Sequence, residues 1–177
     1  VSINDRGKAL KNNQLINLIE KSGYKISYLT DKQYNNKFQF KHDQGIIIQF
    51  EAQLTKKLIN EIECFQNDTC FIICDQINDP QNLGQILRTC ECAGINGIVL
   101  PKHGSVHITN SVIQVSQGAI FHSNIFIETN LNNTIKFLKS NGFWVIGIEN
   151  SISAKNWYEM DYKGKIAIVI GSEGKGI

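Results

Sequence analysis

An α/β fold built on a mostly parallel sheet with helices on both faces is what this sequence predicts, and three observations carry the prediction. Segments such as Phe71-Ile72-Ile73-Cys74, Gly97-Ile98-Val99-Leu100 and Ile166-Ala167-Ile168-Val169-Ile170 are apolar throughout, the mark of strands buried on both sides. They alternate with segments whose apolar residues recur at helical spacing. The two prolines, Pro80 and Pro101, fall at strand exits, where turns are required.

Taken in order, Leu15, Leu18 and Ile19 mark a helix ended by Gly23, which feeds a short strand over Lys25-Ile26-Ser27-Tyr28-Leu29. A polar stretch follows, then a second strand over Gly45-Ile46-Ile47-Ile48-Gln49-Phe50. Leu54, Leu58, Ile62 and Phe65 form one face of a helix that the turn Gln66-Asn67-Asp68 ends. From Cys70 the alternation becomes regular. After strand 71–74 come a helix from Asn82 to Ala93, the strand at Gly97–Leu100, a helix from Ser111 to Gln117 and a strand at Ile125–Ile127. A helix from Asn132 to Ser140, a strand over Phe143–Ile148 and the last strand, Ile166–Ile170, complete the order. The expected organisation is a small α/β domain over residues 1–52, a helical linker over 53–69 and a main α/β domain over 70–177.

Composition narrows the class. Of the 177 residues, 42% are hydrophobic and 19% charged, and no apolar run approaches the roughly 18 residues of a membrane span, so a soluble globular protein is expected. The N-terminus lacks a basic segment leading into an apolar one and so does not look like a secretory signal, and the absence of an initiator methionine predicts a fragment. A net charge of +2 leaves the partner open. The five cysteines are odd in number, and Cys70, Cys74, Cys90 and Cys92 sit inside apolar patterns, which predicts reduced core thiols and a cytoplasmic setting. No cysteine or histidine spacing, His103, His107 and His122 included, fits a metal site.

Two segments hold the residues able to do chemistry. In the helix after strand 71–74, Leu83, Ile86, Leu87 and Cys90 form a stripe facing the sheet, which turns Gln85, Arg88 and Glu91 outward. Arg88 is open to two readings, a solvated pair with Glu91 one turn on or a ligand-facing cation; Asp79 and Asn82 are likewise natural turn and capping residues. Position favours function, because ligands of open parallel sheets collect beyond the carboxyl ends of the strands. The second segment, Gly171-Ser172-Glu173-Gly174-Lys175-Gly176-Ile177, follows a strand and is either a tight turn or a backbone that closes on a cofactor. It is not a Walker A loop, since that motif needs Lys and then Ser or Thr after its last glycine, and here Ile177 follows Gly176. The dinucleotide fingerprint is equally absent from the turn at 79–84.

Together these segments resemble the SpoU/TrmH branch of the SPOUT superfamily, RNA ribose 2′-O-methyltransferases that use S-adenosylmethionine. The family's first motif, approximately D-P-x-N-x-G-x-x-x-R, is matched by Asp79, Pro80, Asn82, Gly84 and Arg88; its second, approximately G-x-E-x-x-G, by Gly171, Glu173 and Gly176. Ser116-Gln117-Gly118-Ala119 is similar to an intervening S-x-G-A segment. Upstream, His42-Asp43-Gln44-Gly45-Ile46 is similar, with Asp43 as an extra residue, to the H-Q-G-[VI] element closing a small ribosomal-protein-like RNA-binding domain. Among members with that domain, the bacterial large-subunit ribosomal RNA guanosine methyltransferases (RlmB type) are the most similar.

The resemblance implies a sheet whose C-terminal portion threads into a trefoil knot, a cofactor held in the knot, and a homodimer that completes the active site. It implies catalytic roles for Arg88, Asn82 and Glu173, and cofactor contacts from Gly147, Ile148, Glu149, Ile170, Gly171 and Gly176, with no metal. The partner it implies is RNA, ribosomal RNA foremost; a transfer RNA substrate and a non-catalytic RNA-binding relative are the alternatives. Gln81 stands where histidine is common in relatives. The family's third motif, an S-x-N-V-[SA]-x-A run, is not among these residues, nor is the first part of the small domain. The expectation is that this span by itself does not bind S-adenosylmethionine normally and is inactive.

Overall fold

Strand and helix signals become, in a computed structural model that describes residues 1–39, 43–172 and 176–177, two units that divide between Ala52 and Gln53. In the first unit, β1 (Ser2–Asn4) lies between β2 (Ser27–Leu29), parallel to it, and β3 (Ile46–Ile47), antiparallel to it. α1 (Asn13–Lys21) starts on its cap Asn12, whose side chain accepts from the Leu15 amide. α2 (Asp31–Lys37) lies in the stretch that reads as merely polar, because Tyr34 is its one buried residue. Its start is nonetheless written locally: the Thr30 hydroxyl accepts from the Gln33 amide while the Gln33 side chain accepts from the Thr30 amide, a reciprocal capping box. The strand expected over 45–50 shrinks to β3. Asp43 organises the turn before it, one carboxylate oxygen accepting from the Gly45 amide at 2.9 Å and the other from the buried Tyr34 hydroxyl at 3.0 Å. His42 lies outside the described residues.

The second unit holds a five-stranded, wholly parallel sheet in the order β6-β5-β4-β8-β7. Its strands are β4 (Thr69–Cys74), β5 (Gly97–Pro101), β6 (Ile125–Glu128), β7 (Trp144–Ile148) and β8 (Lys165–Ile170). The helix expected over 54–65 is largely absent: only α3 (Leu58–Glu61) and a following 3-10 turn (Ile62–Cys64) form. Before it the backbone runs beside β6, the Lys56 amide donating to Ile125 O at 2.8 Å and the Ile127 amide to Lys56 O at 3.2 Å. Sheet-like pairing along residue 56 takes the hydrogen bonds a longer helix needs.

Successive strand residues point to opposite faces, so each strand feeds two cores. Phe71, Ile73, Val99, Phe126, Ala167 and Val169 pack with Leu58, Ile62 and Leu138, under α3 and α6 (Leu131–Ser140). Cys74, Ile98, Leu100 and Ile125 pack with Leu83, Leu87, Cys90 and Val112, under α4 (Pro80–Cys92) and α5 (Asn110–Val115). Both faces being apolar is why the strands read as unbroken hydrophobic runs. Among the described residues no helix covers the β7 part of the α4 face, where Trp144 and Ile148 stay 64% and 49% exposed. None of the described helices is long and apolar enough to cross a membrane.

α4 begins two residues earlier than its periodicity indicates. Asp79 is the cap, accepting from the Gln81 amide at 2.8 Å, and Pro80 is the first helical residue rather than part of a turn, a position where its missing N–H costs nothing. One turn on, Gly84 lets α4 and α5 touch: a Cβ there would sit 2.5 Å from Val115 Cβ and 3.2 Å from the Ser116 nitrogen. Alanine at a helix-interior glycine ordinarily gains up to about 1 kcal/mol of helix propensity, while overpacking costs about 1–3 kcal/mol. Gly84→Ala is therefore expected to lower stability by roughly 1–2 kcal/mol in urea unfolding, and Val115→Ala in that background to restore most of it. A Gly84→Ala protein more stable than wild type would refute the close contact as the reason for glycine.

Candidate functional site

Pairing of β4 with β8 sets the site. Their register aligns Cys74 with Ile170, and the Asp75 amide donates to Ile170 O at 2.8 Å, so the segment entering α4 and the one leaving β8 emerge side by side at the carboxyl rim. A cleft of about 460 Å³ opens there, lined by Ile72, Ile77, Asn82, Gln85, Ile86, Thr89, Cys90, Ile170 and Gly171. Half-buried Asn82 supplies polarity near the start of α4; four isoleucines make half of the rest.

Gly171 is a glycine for a local reason. The chain returns across it, the Gly176 amide donating to Ser172 O at 3.2 Å, and a Cβ on Gly171 would overlap the Gly176 carbonyl. The parallel β7–β8 register puts Gly147 beside Val169 and Ile148 beside Ile170. Gly147 is brought to the same place: a Cβ there would stand 3.0 Å from Ile177 Cδ1. Exposed Glu149 follows Ile148 directly. Gly147, Ile148, Ile170, Gly171 and Gly176 thus gather at adjoining strand ends. Glu173 lies outside the described residues.

Arg88 is elsewhere. It faces a second cleft, of about 530 Å³, with Gln81, Gln85, Thr89, Val115 and Gln117. Asn82 and Arg88 therefore line different clefts. Gln85 and Thr89 line both, as a ridge between them. The outward direction of Gln85 and Arg88 matches their spacing, but the solvated Arg88–Glu91 pair does not form: among the described residues the one side-chain ion pair is Lys56–Glu61, at 3.1 Å. Sequence reasoning passed over Gln85, Thr89 and Gln117 as lining residues. The first two had a signal, since Gln81, Gln85 and Thr89 recur every four residues along one helix row. Gln117 had less, because its placement depends on a left-handed backbone (φ 53°) at the end of α5.

The thiols are not poised for chemistry. Burial pushes Cys74 up to about 12 and Cys90 up to about 11, with a smaller contribution in each from a neighbouring cysteine, and burial also raises Cys70. All five cysteines are free, and among the described residues no group of histidine, cysteine and acidic side chains can hold a metal.

A parallel sheet with a cleft at its carboxyl rim and a glycine closed over by returning backbone is the layout of α/β proteins whose ligands collect at strand ends. Residues 69–177 match the SpoU rRNA Methylase family, and the chain belongs to that family. It is 36% identical over 167 residues to YacO of Bacillus subtilis, named as a TrmH family tRNA/rRNA methyltransferase, covering 93% of this chain and 66% of that protein. The fold is shared with the SpoU methyltransferase AviRb of Streptomyces viridochromogenes, solved in complex with AdoMet (TM-score 0.77, 11% identity, 99% of this chain and 66% of that one). It is shared too with an rRNA methyltransferase of Sinorhizobium meliloti (TM-score 0.70, 20% identity, 99% and 65%). The chain thus spans about two thirds of the length of each.

Buried, protonated thiols make a labelling pattern. At pH 7.5, iodoacetamide is expected to modify the exposed Cys64 and Cys92 and to spare Cys74 and Cys90, as read by peptide mass spectrometry. Because the folded values lie above the usual thiol value of 9.0, their contribution to stability is complete below pH 9 and is lost as the pH rises toward 11–12. Native-state labelling of Cys74 at neutral pH would contradict the burial.

Proposed function

We propose that the protein transfers a methyl group from S-adenosylmethionine to a ribose 2′-oxygen of RNA, with a guanosine of large-subunit ribosomal RNA as the substrate. The observation that carries this is the gathering of Gly147, Ile170, Gly171 and Gly176 at the rim, where the cleft lined by Ile170 and Gly171 shares the Gln85–Thr89 ridge with the Arg88 cleft. Family membership supports methyl transfer to RNA, and the motif residues Asp79, Pro80, Asn82, Gly84 and Arg88 support the ribose as acceptor.

The residues present fit S-adenosylmethionine. Glycine at 171 lets the Gly176 backbone close over it and so holds the strand ends together at the cleft, the isoleucines of the Asn82 cleft suit an adenosine face, and the exposed Glu149 carboxylate can accept from sugar hydroxyls. Gly147, Ile148, Glu149, Ile170, Gly171 and Gly176 would hold it. When bound, the group supplies an electrophilic sulfonium methyl. This chain's own residues position the acceptor. A guanidinium does not give up its proton in proteins, so Arg88 serves as a charge-assisted donor to the 2′-oxygen or the adjacent phosphate rather than as a base. Stabilising charge that develops on a poorly acidic hydroxyl is where such a donor acts. Asn82 orients the acceptor from the neighbouring cleft, and Glu173 keeps a supporting role on sequence grounds alone.

We further propose a homodimer, for which the exposed Trp144 and Ile148 supply apolar surface, and a reducing cytoplasmic setting, which the five free cysteines suit. The small unit, residues 1–52, is proposed to bind RNA.

In the full-length protein, Arg88→Ala is expected to cut methyl transfer to ribosomal RNA about 10²–10³-fold while S-adenosylmethionine affinity holds. Arg88→Lys with full activity would show that a positive charge suffices without the guanidinium's planar fork, and Arg88→Ala with full activity would sink the assignment of this cleft. Gly171→Ala is expected to abolish cofactor binding in isothermal titration with the circular dichroism spectrum preserved; unchanged affinity would detach Gly171 from the cofactor wall.

A further inference from the structure

The second cleft has a lining that a phosphate clamp does not need. Arg88 is its one charged residue, while Gln81, Gln85 and Gln117 place three carboxamides around it. All four side chains are exposed, and among the described residues neither Arg88, Gln81 nor Gln85 spends its side chain on a hydrogen bond within the protein. Gln117 is different. Its backbone is held left-handed (φ 53°) before Gly118 (φ 93°), an arrangement uncommon for a residue with a side chain, and its Nε2 donates to Gln114 O at 2.9 Å. That bond fixes the amide and leaves Oε1 as a pre-oriented acceptor. Buried Ser116, whose hydroxyl donates to Ile113 O at 2.8 Å, anchors the turn from the other side.

An amide offers a donor and an acceptor side by side; a phosphate oxygen engages only the donor, whereas a base edge can engage both and is thereby told apart from another base. RNA bases are read in this way when splayed from the stack, on their Watson–Crick and Hoogsteen edges. The cleft's volume of about 530 Å³ is in the usual range for a small-molecule-sized group. Gln81, Gln85 and Gln117 also stand at positions the motifs D-P-x-N-x-G-x-x-x-R and S-x-G-A leave open, whereas Arg88 stands at a specified one.

We infer that Gln81, Gln85 and Gln117 form the base-reading wall of the methyltransferase, selecting the base of the nucleotide whose ribose Arg88 addresses. This rests on the proposed RNA activity and adds to it the residues that set nucleotide identity. They are specificity residues: none touches the transferred methyl, and each acts by pairing with one base edge and leaving a polar group unpaired against the others.

The test gives the full-length protein unmodified transcripts of large-subunit ribosomal RNA and a pool of transfer RNA transcripts, with S-adenosylmethionine, and quantifies the four 2′-O-methylnucleosides by mass spectrometry after digestion. Wild type is expected to yield one nucleoside. Gln81→Ala, Gln85→Ala and Gln117→Ala are each expected to raise the share of the other three about tenfold, the scale on which one paired amide contact discriminates between bases. A one-nucleoside profile retained by all three variants, and by the triple variant, overturns the inference while leaving the activity standing. No 2′-O-methylnucleoside from wild type on either transcript overturns the activity and the inference together. Should a variant be inactive, its binding to the methylated-site transcript and to the three transcripts with that base replaced decides: discrimination equal to wild type overturns the inference, and lost discrimination supports it.

Discussion

The parallel pairing of β4 with β8 is the constraint from which the rest of the C-terminal unit follows. Six aligned residue pairs, Thr69 with Lys165 through Cys74 with Ile170, join segments about a hundred residues apart in sequence. Closing so long a loop costs entropy before any contact returns it, and here the return is the interior of a sheet buried on both faces, where Phe71, Ile73, Ala167 and Val169 share one core. Without that register Asn82 and Gly171 would have no common cleft.

Much of this was legible in the residues, and what was not has identifiable causes. The strands of the C-terminal unit and the inner stripe of α4 were plain because their apolar periods are long and unambiguous. β1 and α2 were not: three residues at a terminus carry no period, and a helix burying only Tyr34 has no stripe, although Thr30 and Gln33 wrote its capping box in the open. The helix expected over 54–65 failed for the opposite reason, since Leu54 and Leu58 keep helical spacing while the backbone at Lys56 pairs with β6 instead. Local pattern yields to a tertiary partner there.

The site divides in the same way. That Asn82 and Gly171 belong at a carboxyl rim could be argued from strand ends alone. That Asn82 and Arg88, about 120° apart around α4, point to different sides could be argued as well; that a cleft lies on the Arg88 side could not, because it depends on α5 lying against α4 at a distance only Gly84 allows, and on a left-handed Gln117 at the end of α5. Both are facts of packing between segments roughly thirty residues apart, and no helical wheel contains them. The extra residue Asp43 teaches the same lesson in the small unit. As an insertion it looked like a departure; in the fold it holds the Gly45 turn and the Tyr34 hydroxyl at once.

The position of β8 between β4 and β7 also orders events in time. β4, β5 and β6 can pair with one another as soon as each has left the ribosome, but β7 has β8 as its sole strand partner among the described residues and must wait for it. Gly147 and Ile148 therefore have no settled place until residues 165–170 have been made and inserted. During synthesis the residues of the wall that carries Arg88 are made before those of the wall that carries Gly171, so the rim at Gly147 and Gly171 is completed only after α4 and α5 have been made.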